Sequence, residues 1–502
     1  DIKMAAIITE KFRLHNATQF YESFSEASKN VYYLMIGKSV PFTSGTSGGS
    51  DDSPPTPVDD VSTEFYTWDQ TIALKNIAST EVNYAIPRRD WANSTTYDMY
   101  EHNISSSNTT TSGASNVYDA TFYFRTSDNR IYKVIDNNGG TAYSGSEPTS
   151  TSTSTFELGG YTLKYMYTIS ASDSNKFLTA DFMPVATDST VSAAATDGAI
   201  ESLVVTVGSG YTNGTFYAAV YGDGTSAGTS SGAVVRITVS GGAIASFGLT
   251  AGTDTTINSA GAAYTYGTVN LGSSYTFSDS DLSTASSMGS GTGGAVNVVI
   301  SPKEGHGNDA VNELGGHYVM MRATLTGAEA DDVLAGNDFR NIALVTDPTT
   351  YGTSTVASAT TYRQVSAFKL TSQSGTFTAD EKISQASTGA IGKVVEWDST
   401  LGILYYQQER YADYGTISAS GSNTAFSGAN AVTGASSSAA GTPDSTADTA
   451  VTLANDNTIT FTDGYANPEL QADSGDIVYQ ENRKPISRAT DQTEDIKIIV
   501  EF

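Results

Sequence analysis

Apolar and polar residues alternate with a period of two in four stretches of this chain: TFYFRT at 121–126, RIYKVID at 130–136, TLKYMYTI at 162–169 and IKIIVEF at 496–502. Successive side chains of an extended strand point to opposite faces, and aromatic and β-branched residues suit a pleated, half-buried surface. Each stretch therefore predicts a strand. Between the first two lies SDNR, whose Asp and Asn tolerate the backbone of a hairpin turn. Helical spacing is scarce. NATQFYESFSEA at 16–27 sets Phe20, Phe24 and Ala27 on one face and predicts a short helix; others are expected at 328–335 and near 67–77. The expected class is mainly β with a few short helices.

The pattern changes character twice. From 191 to 301 the chain turns Gly/Ser/Thr/Ala-rich, and GAIESLVVTVGSGYTNGTF, starting at Gly198, is echoed by GAIASFGLTAGTDTTINSAGAAYTYGTV, starting at Gly242. Each copy is followed by a matching strand, SGAVVRITVS and then GGAVNVVIS, so a duplicated small β unit is expected. The second biased stretch, 366–467, opens with short strands and passes into SASGSNTAFSGANAVTGASSSAAGTPDSTADTA, which predicts a long loop. The expected organisation is a core from 1–190, 302–365 and 468–502. It is interrupted by an inserted repeat β domain at 191–301 and an inserted β and low-complexity region at 366–467. Such insertions are tolerated because loop-closure entropy grows slowly with length.

Composition removes whole classes of function. Over 502 residues, 26 Lys+Arg stand against 54 Asp+Glu, a formal charge of −28, which argues against wrapping nucleic acid. With no cysteine, thiol nucleophiles, Cys-ligated metals and disulfide frameworks are excluded. No apolar run approaches the roughly 18 residues of a bilayer span, so no membrane insertion is expected. The opening DIKMAAIITEKFR carries no secretory pattern.

Candidate chemistry is thin. His306 and His317 lie in PKEGHGNDAVNELGGHY, and with Asp309 they offer a metal or acid/base reading. The competing reading, a Gly-rich connection entering the strand HYVMMRATL, is the stronger. GxSxG occurs at 45–49, 224–228 and 228–232, but none precedes a helical pattern, as a nucleophile elbow requires. YGDGTSAG at 221–228 comes nearest to a Ca²⁺ loop and lacks the closing Glu. Walker and dinucleotide fingerprints are absent. No enzyme activity, cofactor or metal is expected.

The specific text lies in AAIITEKFRLHNATQFYESF (from Ala5), VYYLMIGKSVPF (from Val31), YAIPRRDW (from Tyr84) and GDIVYQENRKPISRATDQTEDIKIIVEF (from Gly475). LKYMYTI, HYVMMRATL and DFRNIALVTDP extend it. In this order the segments resemble the baseplate wedge protein (gene product eight) family of T-even-type contractile-tailed phages. The two insertions have no counterpart there and resemble Gly-rich β repeats of cyanophage-like myophages. The resemblance implies a layered β-sandwich core, a homodimer that bridges neighbouring wedge subunits, and no catalytic site. It places the protein in the virion tail baseplate after synthesis in the host cytoplasm.

Two segments stand out as interface or loop-fixing candidates. Pro87, Arg88, Arg89, Asp90 and Trp91 combine a rigid residue, two guanidinium forks and a large aromatic, which suits a specific interface or an internal ion pair equally. Glu481, Asn482 and Arg483, followed by Asp491 and Gln492, precede a terminal strand that could pair across a dimer or complete its own sheet. A host-surface glycan-binding adhesin or tail-fibre-like protein is the alternative. It would need Tyr211, Tyr217, Tyr264 and Tyr266 exposed on one face.

Overall fold

All four alternating stretches form strands, Tyr123–Arg125, Arg130–Asp136, Tyr161–Thr168 and Thr493–Glu501. The structure, a computed structural model, describes residues 7–42, 48–225, 232–247, 253–271, 288–329, 332–410, 414–415, 423–454 and 456–502. Antiparallel sheets dominate, and the protein is mainly β. The chain divides into two units. One comprises Asp1–Gln19, Asn83–Met320 and Ile499–Phe502, the other Phe20–Val82 and Met321–Ile498.

In the first unit the first three of these strands and Phe156–Leu158 make one antiparallel sheet. Asn129 closes the turn after Tyr123–Arg125 with φ 62°, a left-handed backbone that Asn tolerates better than most residues. The sheet is buried on both faces, so its tyrosines need partners for their hydroxyls. Those of Tyr123, Tyr132, Tyr161 and Tyr167 donate to the carbonyls of Pro87, Ser150, Thr141 and Pro184.

The repeat at 198–301 folds around its own apolar cluster, which includes Ile200, Phe216, Val235, Ile237 and Val298. Its two copies are intertwined. The first strand of copy one, Ile200–Ser209, pairs with the last of copy two, Thr292–Ile300. The last strand of copy one, Val234–Ser240, pairs with the first of copy two, Ala243–Ile244. The middle strands, Gly214–Gly222 and Gly267–Val269, pair with each other. Tyr211 and Tyr264 occupy matching places in YTNGTF and YTYGTV; their hydroxyls accept from the N–H of Gly294 and Ala233. The exposed tyrosine face that the adhesin alternative would need is not formed. Tyr211, Tyr217 and Tyr264 are buried, and of the four only Tyr266 is exposed.

The second unit holds an antiparallel sheet in the order Thr361–Arg363, Thr71–Asn76, Tyr32–Gly37, Phe339–Thr346, Asp476–Ile486. It also holds a closed ring: Ile403–Gln407, Ala390–Asp398, Lys382–Gln385, Val432–Gly434, Ala440–Pro443 and Ser366–Ser374, the last pairing back to the first. Phe368, Ile383, Val394, Leu404 and Val432 fill it. Two of the ring strands lie in the expected long loop. The serines there are structural: the N–H and hydroxyl groups of Ser436 and Ser437 all donate to the Glu381 carboxylate. Residues 418–422 of that stretch lie outside the described residues.

Helix placement also differs. The first helix is Glu10–Glu22 rather than 16–27: the Thr9 hydroxyl accepts from Phe12 N–H near its start, and Ser23 bonds back to the Phe20 carbonyl where it ends. Phe24 then stacks on Tyr32 at 4.1 Å, beyond the helix. The helix expected near 67–77 is Val61–Gln70, capped by the Asp60 carboxylate on Thr63 N–H. Thr71–Asn76 is a strand because its β-branched and apolar residues are buried within the sheet. The expected helix at 328–335 lies partly outside the described residues, as do all three GxSxG matches.

Candidate functional site

The Pro-Arg-Arg-Asp-Trp segment follows strand Val82–Pro87. Asp90 accepts from two guanidinium groups, Arg88 at 2.7 Å and Arg125 at 2.8 Å. Burial would push its carboxyl up, but these hydrogen bonds outweigh it, and its pKa lies below the usual carboxylate range. Arg88 also bonds the Thr179 carbonyl at 2.7 Å. Arg89 turns the other way. It donates to the carbonyls of Tyr118, Asp119 and Ala120 and lies over the Tyr123 ring at 4.3 Å. Pro87 accepts from the Tyr123 hydroxyl at 2.9 Å. Trp91 packs edge-on to Tyr143 at 5.9 Å, and its indole N–H is buried without a partner. The Asp90–Arg125 pair also forms a backbone bridge, so guanidinium forks and main chain fix the same loop.

The C-terminal candidates lie in the second unit. Glu481, Asn482 and Arg483 sit on Asp476–Ile486, the edge strand of its sheet. Asn482 accepts from the Asn341 amide at 2.8 Å and donates to the Pro55 carbonyl at 2.9 Å. Glu481 takes a hydrogen bond from Tyr479 at 2.9 Å and faces Arg483 at 3.4 Å. Gln492 accepts from Gly327 N–H at 2.9 Å and, with Asp491, lines a cleft of about 920 Å³. The residue that organises this corner is Arg488, which was not singled out from the sequence. Buried against Glu494 at 3.0 Å, it also donates to the carbonyls of Gly327, Val333 and Leu334. The terminal strand Thr493–Glu501 pairs with Tyr318–Thr326 of its own chain.

The histidine segment divides its residues among separate tasks. Asp309 caps the short helix Ala310–Leu314. His317 lies 3.9 Å from Glu10 and 3.9 Å from Glu501. His306 meets Tyr100 edge-on at 5.1 Å and lies 3.9 Å from Glu313. Burial, helped by Lys133 and Lys164, holds its pKa well below the ordinary histidine value, so it is neutral at pH 7. Among the described residues no group of three or more His, Cys, Asp or Glu is placed to hold a metal ion.

Glu313, which pattern reading only noted beside the histidines, is the hub of this region. It bonds Lys133 at 2.7 Å in a fully buried pair and accepts from Gly307 N–H at 2.7 Å and Asp309 N–H at 3.2 Å. The lysine is covered by the Tyr100 ring at 4.2 Å. The available signal was a lysine in the middle of an aromatic strand, RIYKVID, where an alternating pattern reads as an exposed position.

A family model described as "Bacteriophage T4, Gp8" matches residues 6–142 and 447–502. The baseplate wedge protein gp8 of Enterobacteria phage T4 is 31% identical over 100 residues, covering 20% of this chain and 30% of the T4 protein. Over these stretches the chain is similar to the gp8 family. The family match takes in both the arginine loop and the C-terminal block and leaves 143–446 between its two parts. Both the intertwined repeat and all six strands of the closed ring therefore lie outside the gp8 match. Among the described residues no helix is long and apolar enough to cross a membrane.

Proposed function

We propose that this protein is a structural, non-enzymatic subunit of a phage tail baseplate wedge, acting as a homodimer that bridges neighbouring wedge proteins in the virion. The observation that carries the reading is the gp8-family match at both ends of the chain, over 6–142 and 447–502. The local geometry is compatible with it. The ion pairs of the arginine loop and the buried Arg488 hold loops in fixed shapes, as a subunit that presents loops to several partners needs. In this reading the arginine loop and the strand Asp476–Ile486 supply contacts. Edge strands and Arg- or Trp-bearing loops are frequent partners in specific recognition. Symmetry then converts repeated weak contacts into a tight assembly.

Light scattering of the purified chain tests the dimer: a species at twice 52.6 kDa is expected, and a stable monomer or trimer overturns it. Co-expression with the other wedge proteins of the same phage tests the bridging role. Recovery of this chain in a complex with at least two different wedge subunits is the expected result. Recovery with none would sink the assembly reading.

A further inference from the structure

The longest described strand of the second unit lies at the edge of its sheet. Asp476–Ile486 runs 11 residues and pairs on one side with Phe339–Thr346; among the described residues no strand pairs with its other side. The opposite edge of the same sheet, Thr361–Arg363, is 3 residues long and buried. A long open edge is a template for another strand, and proteins ordinarily blunt or cover it. Val478 on this edge is 50% exposed. The C-terminal half of the strand borders an open groove of about 810 Å³, lined by residues 482–486 and 494–497 and by Pro54.

The two ends of the strand carry opposite charge. Asp476 opens it, Arg483 and Lys484 stand near its close, and all three are exposed. The carboxylates around the groove already have cations: Glu494 meets the buried Arg488 at 3.0 Å, Asp495 meets Arg322 at 2.6 Å and Lys497 at 3.7 Å, and Glu481 meets Arg483 at 3.4 Å. Among the described residues Lys484 has no such partner, and neither has Asp476. These two lie four positions either side of Gln480. Antiparallel pairing of two copies about a two-fold axis at Gln480 sets Asp476 directly across from the partner's Lys484, twice, and brings no like charges face to face. The paired stretch then ends before Pro485, which has no N–H to contribute. We propose that Asp476–Ile486 joins two copies of this chain edge to edge, the acidic start of each strand entering the groove beside the basic end of the other. The inference rests on the homodimer reading above and names its surface. An isologous contact of this kind closes at two copies and covers both open edges.

Charge reversal in the full chain, read by sedimentation and light scattering, tests this. Asp476→Lys and Lys484→Glu should each weaken dimerisation by about tenfold or more, since symmetry applies each change twice. An equimolar mixture of the two variants should recover dimers as tight as the wild type, because every reversed residue then meets an opposite charge. In this cysteine-free chain Gln480→Cys should form a disulfide-linked dimer on mild oxidation, a residue on the axis facing its own copy. A dimer indifferent to both reversals, or one that gives no crosslink through Gln480→Cys, overturns this interface and leaves the homodimer standing. A wild-type monomer overturns both.

Discussion

The two units each bury a lysine–glutamate pair, and the pairs differ in how fully they are bonded. Lys133 and Glu313 meet at 2.7 Å, with two backbone N–H groups on the carboxylate and an aromatic ring over the ammonium. Lys393 and Glu409 stand 3.6 Å apart, with both the ammonium and one carboxylate oxygen lacking hydrogen bonds. Burying charge is expensive, and attraction in a low-dielectric interior repays it only when the remaining lone pairs and protons are also satisfied. The first pair meets that condition within the protein. The second does not, and identical residue types at equal burial thus do different work.

Breaking the well-bonded pair should have the largest effect. Glu313→Ala leaves Lys133 buried without its counter-charge and is expected to cost about 3–5 kcal/mol in urea unfolding. A loss under about 1 kcal/mol would show that the ammonium finds water, and the contrast between the units would collapse. Replacing both partners with apolar groups sharpens it further. Lys393→Met with Glu409→Leu should be about neutral, because removing orphaned charge offsets the loss of the Gln70 hydrogen bond to Glu409. The matching exchange at Lys133 and Glu313 strands the N–H groups of Gly307 and Asp309 and should destabilise.

A buried carboxyl with no lysine extends the series. Asp136 is pushed up from 3.8 to about 7 by burial. Its folded-state pKa lies above the unfolded value, so the folded protein binds the extra proton. The penalty is full above about pH 7 and is relieved as pH falls from about 7 towards 3.8. Asp136→Asn should flatten the stability profile across that window and stabilise at pH 8; an unchanged slope would assign the titration elsewhere. The smallest effect is expected at the surface. Asp90→Asn weakens two half-exposed ion pairs and should cost at most about 1 kcal/mol by thermal unfolding.

The sequence revealed the strands where one face is apolar and the turn chemistry is local, as at Arg130–Asp136 with Asn129 beside it. It concealed the closed ring because two of its six strands, Val432–Gly434 and Ala440–Pro443, are short and built largely from small residues, and the serines between them are ordered by a distant carboxylate, Glu381, rather than by hydrophobic period. The glycine-rich repeat was legible as a duplication, but strand exchange between its copies leaves no trace in either copy alone. The same limit applied to the sites. The arginine loop stood out by residue type. Lys133, Lys393 and Arg488 did not, because a buried cation becomes visible only once its distant partners are assembled around it.

The interlocking of the two repeat copies has an evolutionary consequence. In a solenoid each repeat contacts only its neighbours, so units can be gained or lost singly. Here the opening strand of each copy is completed by the closing strand of the other. A recombination event that deleted the second copy would leave Ile200–Ser209 without its partner strand, whereas Val234–Ser240 would keep Gly214–Gly222. Because the copies complete one another, the segment is expected to be gained or lost as a whole rather than one copy at a time.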